Sequence, residues 1–169
     1  MIRKPRSVES SNTPNVATNS EVESSSKKPR IIFSPDDIVA DPGLRKPIKE
    51  YDLGIRDQVR REYLIKGPFQ PHGHNFPKKE YGQEMRGFRE TWFKDFNWLE
   101  YSVLKDEAYC LWCYLFRRPR GGKSGGDKFT STGFSHWKKA VGVFVEHVGA
   151  HDSAHNEARR LCEALENQR

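Results

Sequence analysis

The sequence predicts a small α+β fold, a β-hairpin packed with helices behind a disordered N-terminal tail. Three observations predict it. Residues 100–110 hold an alternating run, a polar turn and a second short run, as a hairpin requires. Residues 134–148 repeat apolar side chains at steps of three and four, the mark of one helix face. Residues 1–30 are rich in Ser, Asn, Thr, Glu and Pro with no apolar period, so they bury too little surface to offset the entropy of ordering.

The chain has 169 residues, of which 35% are hydrophobic. Its mean hydropathy is −0.86, which predicts a small domain with a long tail rather than one core along the whole length. Aromatic residues concentrate between Phe88 and Phe116, where a core can form. No run is apolar enough to span a bilayer. The N-terminus MIRKPRSVESS lacks the apolar stretch of a secretory signal. Three cysteines, two of them spaced as a metal-binding pair, fit an intracellular metal site better than a disulfide framework.

Residues 1–30 are therefore read as a disordered basic, Ser-rich tail. Its clusters Arg3-Lys4-Pro5-Arg6 and Lys27-Lys28-Pro29-Arg30 have the form of nuclear import signals. Residues 31–87 are read as a leader of loops and a short helix. Pro35-Asp36-Asp37-Ile38 opens at most one helical turn. Ile55, Val59 and Tyr63 predict an amphipathic helix from Ile55 to Ile65, between Gly54 and Gly67-Pro68. The following loop has too many breakers for regular structure, and its His72 and His74 read as surface residues.

From Phe88 the texture changes. Phe88, Trp92, Phe93, Phe96, Trp98 and Leu99 are dense enough to anchor a core. Glu100 to Leu104 predicts a strand, Lys105-Asp106-Glu107 a turn, and Ala108-Tyr109-Cys110 a returning strand that Tyr114-Leu115-Phe116 continues. Phe134, Trp137, Val141, Phe144, Val145 and Val148 predict a helix capped near Ser135 and stopped at Gly149. A second helix restarts at Asp152 or Ser153, with Ala154, Ala158, Leu161 and Leu165 as its buried stripe.

The most specific chemistry lies in Cys110 and Cys113. Two thiolates two residues apart grip one face of a tetrahedral ion, and two imidazoles from a later segment close the other. His147, His151 and His155 are the candidates, and spacing alone leaves their pairings open. A domain this small gains on the order of ten kcal/mol of folding free energy from a structural zinc ion. Cys162 reads as a structural thiol in the second helix. Gly122-Lys123-Ser124 is not a phosphate loop, because Arg118 stands where that motif needs its first glycine.

The net charge of +6 is uneven. Residues 1–30 carry six basic and three acidic side chains, a balance of +3. Residues 117–128 carry five and one, a balance of +4, which leaves about −1 for the rest. A polyanion is the partner such segments fit.

Several blocks occur together in order: Trp92-Phe93 with Phe96-Asn97-Trp98-Leu99-Glu100-Tyr101-Ser102; Tyr109-Cys110-Leu111-Trp112-Cys113-Tyr114-Leu115-Phe116; Phe129 with Gly133-Phe134-Ser135-His136-Trp137; and His147 followed by Ser153-Ala154-His155-Asn156-Glu157-Ala158. Residues 88–169 thereby resemble the TTF-type zinc finger of transposases and transcription-factor-like proteins. The segments Ile38 to Pro47 and His74 to Lys78 look like the leader before this finger in plant hAT transposase-derived proteins. The resemblance implies zinc held by Cys110, Cys113, His147 and His155, with His151 as a competing donor that departs from the pattern.

The expected function is a zinc-binding, DNA-binding module of a transposase-derived protein, nuclear and without catalysis of its own. Because the chain ends at Arg169, just after the finger, the expectation is a truncated or finger-only form. Arg117, Arg118, Arg120, Lys123 and Lys128 are the candidate phosphate contacts, with Lys138 and Lys139 on the helix beside them. The partners expected are DNA and transposase-related proteins, with no membrane and no small-molecule substrate. The alternative is a zinc-dependent protein-interaction module whose partner surface is made of exposed aromatics around Trp92 to Trp98.

Overall fold

The structure, a computed structural model, describes residues 33–118 and 128–168. The tail, including both basic clusters, lies outside the described residues, as do Ile31, Arg120 and Lys123. Residues 31–169 form one compact unit, so the leader and the predicted finger share a core. No described helix is long and apolar enough to cross a membrane.

The described elements are helix α1 (Arg56–Lys66), strands β1 (Lys78–Tyr81) and β2 (Glu84–Gly87), helix α2 (Trp92–Asp95), strands β3 (Leu99–Ser102) and β4 (Glu107–Cys110), and helices α3 (Leu111–Phe116), α4 (Ala140–Val148) and α5 (Ala154–Asn167). Short 3-10 turns lie at Pro35–Asp37, Ile48–Glu50 and Trp137–Lys139, and a π turn at Lys128–Thr132. The strands make two antiparallel pairs, β1 with β2 and β3 with β4. The α+β class predicted from the sequence is the class observed.

The β3–β4 hairpin forms near its predicted place, in the register Leu99↔Cys110 through Ser102↔Glu107. Val103 and Leu104, expected in the strand, lie in its turn, and Glu107, expected in the turn, begins β4. Asp106 closes its turn in the left-handed region, at φ 52°, a conformation Asp tolerates better than most residues. The strand stops at Cys110. Tyr114-Leu115-Phe116, expected to continue it, belong to α3. The reason is the Cys110 thiol, whose Sγ accepts the Cys113 N–H at 3.4 Å and caps the new helix. A side-chain acceptor here does what Ser or Asp does at ordinary helix starts.

Two apolar clusters join at α3. In the first, the rings of Trp92, Phe96, Trp98, Phe129 and Phe134 surround Phe144, which is fully buried, and Phe88, Phe93, Tyr101 and Trp137 extend the same cluster. Phe144 meets Trp92 and Trp98 edge to face at 5.5 and 5.9 Å between centroids, the geometry aromatic quadrupoles favour. This overturns the expected partner surface: Trp92, Phe93 and Trp98 are buried, and Phe96 packs half-buried against them. Rings this large and this close in sequence condense on one another before they can serve as a surface.

The second cluster ties the leader to the rest: Ile38, Ile48, Tyr51, Val59 and Tyr63 pack with Leu111, Tyr114, Leu115 and Cys162. At its edge lies a buried ion pair, Arg45 with Glu100. The Arg45 guanidinium sits 3.8 Å from the Tyr114 ring centroid and 5.3 Å from that of Tyr63. Glu100, only 1% exposed, also accepts the Phe69 N–H at 3.2 Å.

The helical end differs from expectation in its details. No helix starts at Ser135. Its carbonyl accepts the Tyr81 hydroxyl at 2.8 Å, while Phe134 exchanges two backbone hydrogen bonds with Ala108. The chain enters α4 only after the Trp137–Lys139 turn, which rotates the face. Ala140 and Phe144 point inward, and Val141 and Val145 stand 49% and 59% exposed. Gly149 ends α4 at φ 62°, and Ser153 caps α5 by accepting the Asn156 N–H at 3.1 Å, both as the sequence predicts. The buried stripe of α5 is His155, Ala158, Cys162 and Leu165, not the predicted Ala154, Ala158, Leu161 and Leu165. Including a histidine and a thiol turns the face by one position.

Removing Arg45 would strand a buried carboxylate. Arg45→Met should therefore cost about 3–5 kcal/mol in urea unfolding, and Arg45→Met with Glu100→Gln should recover more than half of that loss. Equal destabilisation of the single and double variants would assign the cost to lost packing instead.

Candidate metal centre

Four elements bring four donors to one point. Cys110 ends β4, Cys113 lies in the first turn of α3, His147 in the last turn of α4, and His155 in the first turn of α5. Cys110 Sγ lies 3.5 Å from His155 Nδ1. Cys113 Sγ lies 3.5 Å from His147 Nε2 and 3.7 Å from His155 Nδ1. All four donor atoms fall within 4.8 Å of one another. A tetrahedral ion bound at about 2.0–2.3 Å sets its ligands about 3.3–3.8 Å apart, since a tetrahedron's edge is about 1.63 times its radius. The three distances above are of that size, so the four residues could hold a metal ion.

The histidines converge because of the break between their helices. Gly149 turns the chain, and Ser153 and Asn156 stitch the corner: the Ser153 hydroxyl donates to Val148 O at 2.6 Å, and Asn156 Nδ2 to Val148 O and Ala150 O. His151 sits on the outside of this corner, exposed, and is not in the four-donor cluster. Its carbonyl accepts from Arg160 at 3.0 Å. Sequence spacing could not separate the three histidines; the corner separates them.

Aromatic rings wall the cluster. Trp98 lies 5.0 and 5.1 Å from the rings of His147 and His155, Phe129 lies 4.3 Å from His147, and Trp112 5.4 Å from His155. Cys110, Cys113 and His155 are buried, and His147 is half-buried. The dry site splits the two thiols. Hydrogen bonds from the Cys110 thiol and from both imidazoles hold Cys113 well below the ordinary thiol range, against the cost of its burial. Burial and the charge on Cys113 push Cys110 up. Burial also lowers His147. A dication would neutralise both thiolates at once and take both imidazoles in their neutral form, the protonation state this pocket already favours for His147.

Cys162, expected as a structural thiol, is buried beside Leu111 and Leu115. Burial pushes it up to about 12, which keeps it protonated and inert.

The basic residues grouped from the sequence divide between two places. Arg117 follows α3 directly, and its N–H donates to Cys113 O at 2.9 Å. Arg118 is exposed, 3.7 Å from Glu157. Lys138 and Lys139 are exposed in the turn before α4, about 12 Å along the helix rise from His147. Lys128 is exposed at the start of the π turn. Arg120 and Lys123 lie outside the described residues. What sequence reasoning missed is the aromatic wall: Trp98 read as an ordinary core residue and Phe129 only as part of a family block, and only the distant histidines could have marked them.

Comparison with known proteins matches residues 127–169 to the DUF4371 family, described as the ZMYM1/FAM200 RNase-like domain. A curated relative is Zinc finger MYM-type protein 5 of Mus musculus, 36% identical over 72 residues, an alignment covering 37% of this chain and 11% of the mouse protein. The chain thus corresponds to only a small part of that relative's length. No solved structure matches the chain.

One bound metal per chain is the expected stoichiometry by elemental mass spectrometry. Cys110→Ser, Cys113→Ser and His155→Ala should abolish it, while His151→Ala and Cys162→Ser leave it intact. Acid should release the metal. Cys113 and His147 are both held below their ordinary values, so the stability they contribute is complete above those values and is lost as pH falls. Raised Cys110 acts in the opposite sense, and only as pH rises into the alkaline range. Metal retention that does not change between pH 7 and pH 2.5 would contradict this.

Proposed function

We propose that the chain is a zinc-stabilised, DNA-binding module of a transposase-derived protein that works in the nucleus. The carrying observation is the four-donor cluster of Cys110, Cys113, His147 and His155. Two thiolates and two imidazoles in a tetrahedral cage suit zinc better than the oxygen-seeking calcium or magnesium. Four protein donors leave no open position for substrate or water, which supports a structural rather than a catalytic role. The name of the mouse relative and the ordered sequence blocks favour a zinc finger, and the TTF type is our assignment within that class. On this reading residues 88–169 are the finger, 31–87 its leader and 1–30 a basic tail with nuclear import signals.

DNA binding is supported by the placement of positive charge. Arg117, Arg118 and Lys128 flank residues 119–127, and Lys138 and Lys139 lie exposed ahead of α4. These side chains suit phosphate contacts, which position a protein on a duplex and make its affinity depend on salt. The protein-interaction alternative loses the surface that suggested it, since Trp92, Phe93 and Trp98 are buried.

Zinc-loaded protein should bind a fluorescent duplex with log Kobs falling against log[KCl] at a slope of about −4, as about four phosphate contacts require. Arg117→Glu with Arg118→Glu, or Lys138→Glu with Lys139→Glu, should reduce both affinity and slope without loss of zinc. Binding that is absent or indifferent to salt would contradict the reading.

A further inference from the structure

A cleft of about 630 Å³ opens between the end of β2 and the start of α4. Its lining runs along α4 from Ala140 to Glu146. Arg86 and Arg89 line it from the hairpin side, Lys138 and Lys139 from the turn before α4, and Trp92 and Trp137 lie among its other lining residues. Both tryptophans are almost wholly buried, so they form a wall rather than a platform on which bases could stack. Gly142 also lines the cleft. A Cβ built there would meet nothing within 4 Å, so a ligand backbone can approach α4 closely.

The charge in this cleft is local. Four cations line it with one carboxylate, Glu146. A second carboxylate, Glu84, reaches Arg86 at 3.1 Å and Lys138 at 3.6 Å. Both carboxylates together leave the cations in excess by two. Arg89 and Lys139 have no ion-pair partner among the described residues. Outside residues 1–30 and 117–128 the chain is close to neutral, so this excess is not a sample of a generally basic surface. Forked guanidinium groups on one side and compact ammonium groups on the other suit an anion with several oxygens that passes between them.

We propose that this cleft seats the phosphodiester backbone of duplex DNA, clamped between Arg86 and Arg89 on one side and Lys138 and Lys139 on the other. The proposal rests on the DNA-binding reading and extends it: the β1–β2 hairpin is an arm of the interface that the sequence did not reveal.

The test measures duplex binding by fluorescence anisotropy across a KCl series, using the zinc-loaded full chain. Arg86→Gln with Arg89→Gln should lower the salt slope by about 1.8, at about 0.9 for each phosphate contact removed. Gly142→Glu should weaken binding by about tenfold or more by placing a like charge beside the phosphates, and Gly142→Gln should weaken it less. Position 142 has open space and a helix disfavours glycine, so these two variants should fold and keep their zinc. Wild-type binding with an unchanged slope in the arginine variant and undiminished affinity in Gly142→Glu would overturn the cleft while leaving DNA binding in place. Failure of the wild-type chain to bind DNA would overturn both. Poly-glutamate is the control polyanion: if it binds as tightly as DNA and is lost equally in Gly142→Glu, the cleft belongs to acidic protein segments and the proposal fails.

Discussion

Cys110, Cys113, His147 and His155 must meet at one point, and the local structure around them follows from that constraint. The cysteines lie where β4 turns into α3, and the histidines where α4 turns into α5. Apolar packing also joins the two corners, through α3 on α5 and through Trp98 on Phe144. A structural zinc ion contributes on the order of ten kcal/mol to folding, as much as the entire net stability of an ordinary domain, about 5–15 kcal/mol. On the proposed reading, an interaction of that size would decide whether α4 and α5 stay docked on the cysteine corner, and aromatic packing how they are oriented.

The packing is arranged around the same corner. Trp98 touches both histidine rings on one side and Phe144 on the other, so the core and the donors share a wall. Water kept out of this wall would otherwise compete for the donors and weaken every charge interaction there. The leader contributes through α3: Tyr114 lies over Arg45, and Arg45 pairs with Glu100 on β3. A buried ion pair of this kind is weak evidence for added stability. It does fix which side of the hairpin the leader covers.

Much of this was legible from local chemistry. Gly149 and Ser153 marked the helix break, Val59 and Tyr63 marked α1, and the polar turn at residues 105–107 marked the β3–β4 hairpin. What was illegible depended on tertiary contacts or on side chains acting out of type. A thiol capping α3 has no signature in an apolar run, so Tyr114-Leu115-Phe116 read as strand. The β1–β2 hairpin is short, polar and exposed on most of its residues; its one signal was Gly82, at φ 67° in the two-residue turn Gly82-Gln83. The α5 stripe was misplaced because His155 and Cys162 rank as polar or indifferent yet face inward. Density of aromatics marked residues 92–98 as important, but density alone cannot distinguish a core from a binding surface. For the site, the cysteines were plain, whereas choosing His147 and His155 over His151 needed either the family resemblance or the geometry of the corner.

The central claim is that one metal ion couples these two corners into a single fold. Its most direct test is a two-dimensional amide NMR spectrum of the chelator-treated chain, recorded through a titration with Zn2+. The account predicts that resonances of α4, α5 and residues 110–116 are collapsed or broadened without metal and become dispersed together, reaching completion at one equivalent. A chelated protein whose α4 and α5 resonances are already dispersed, and do not change on adding zinc, would contradict it.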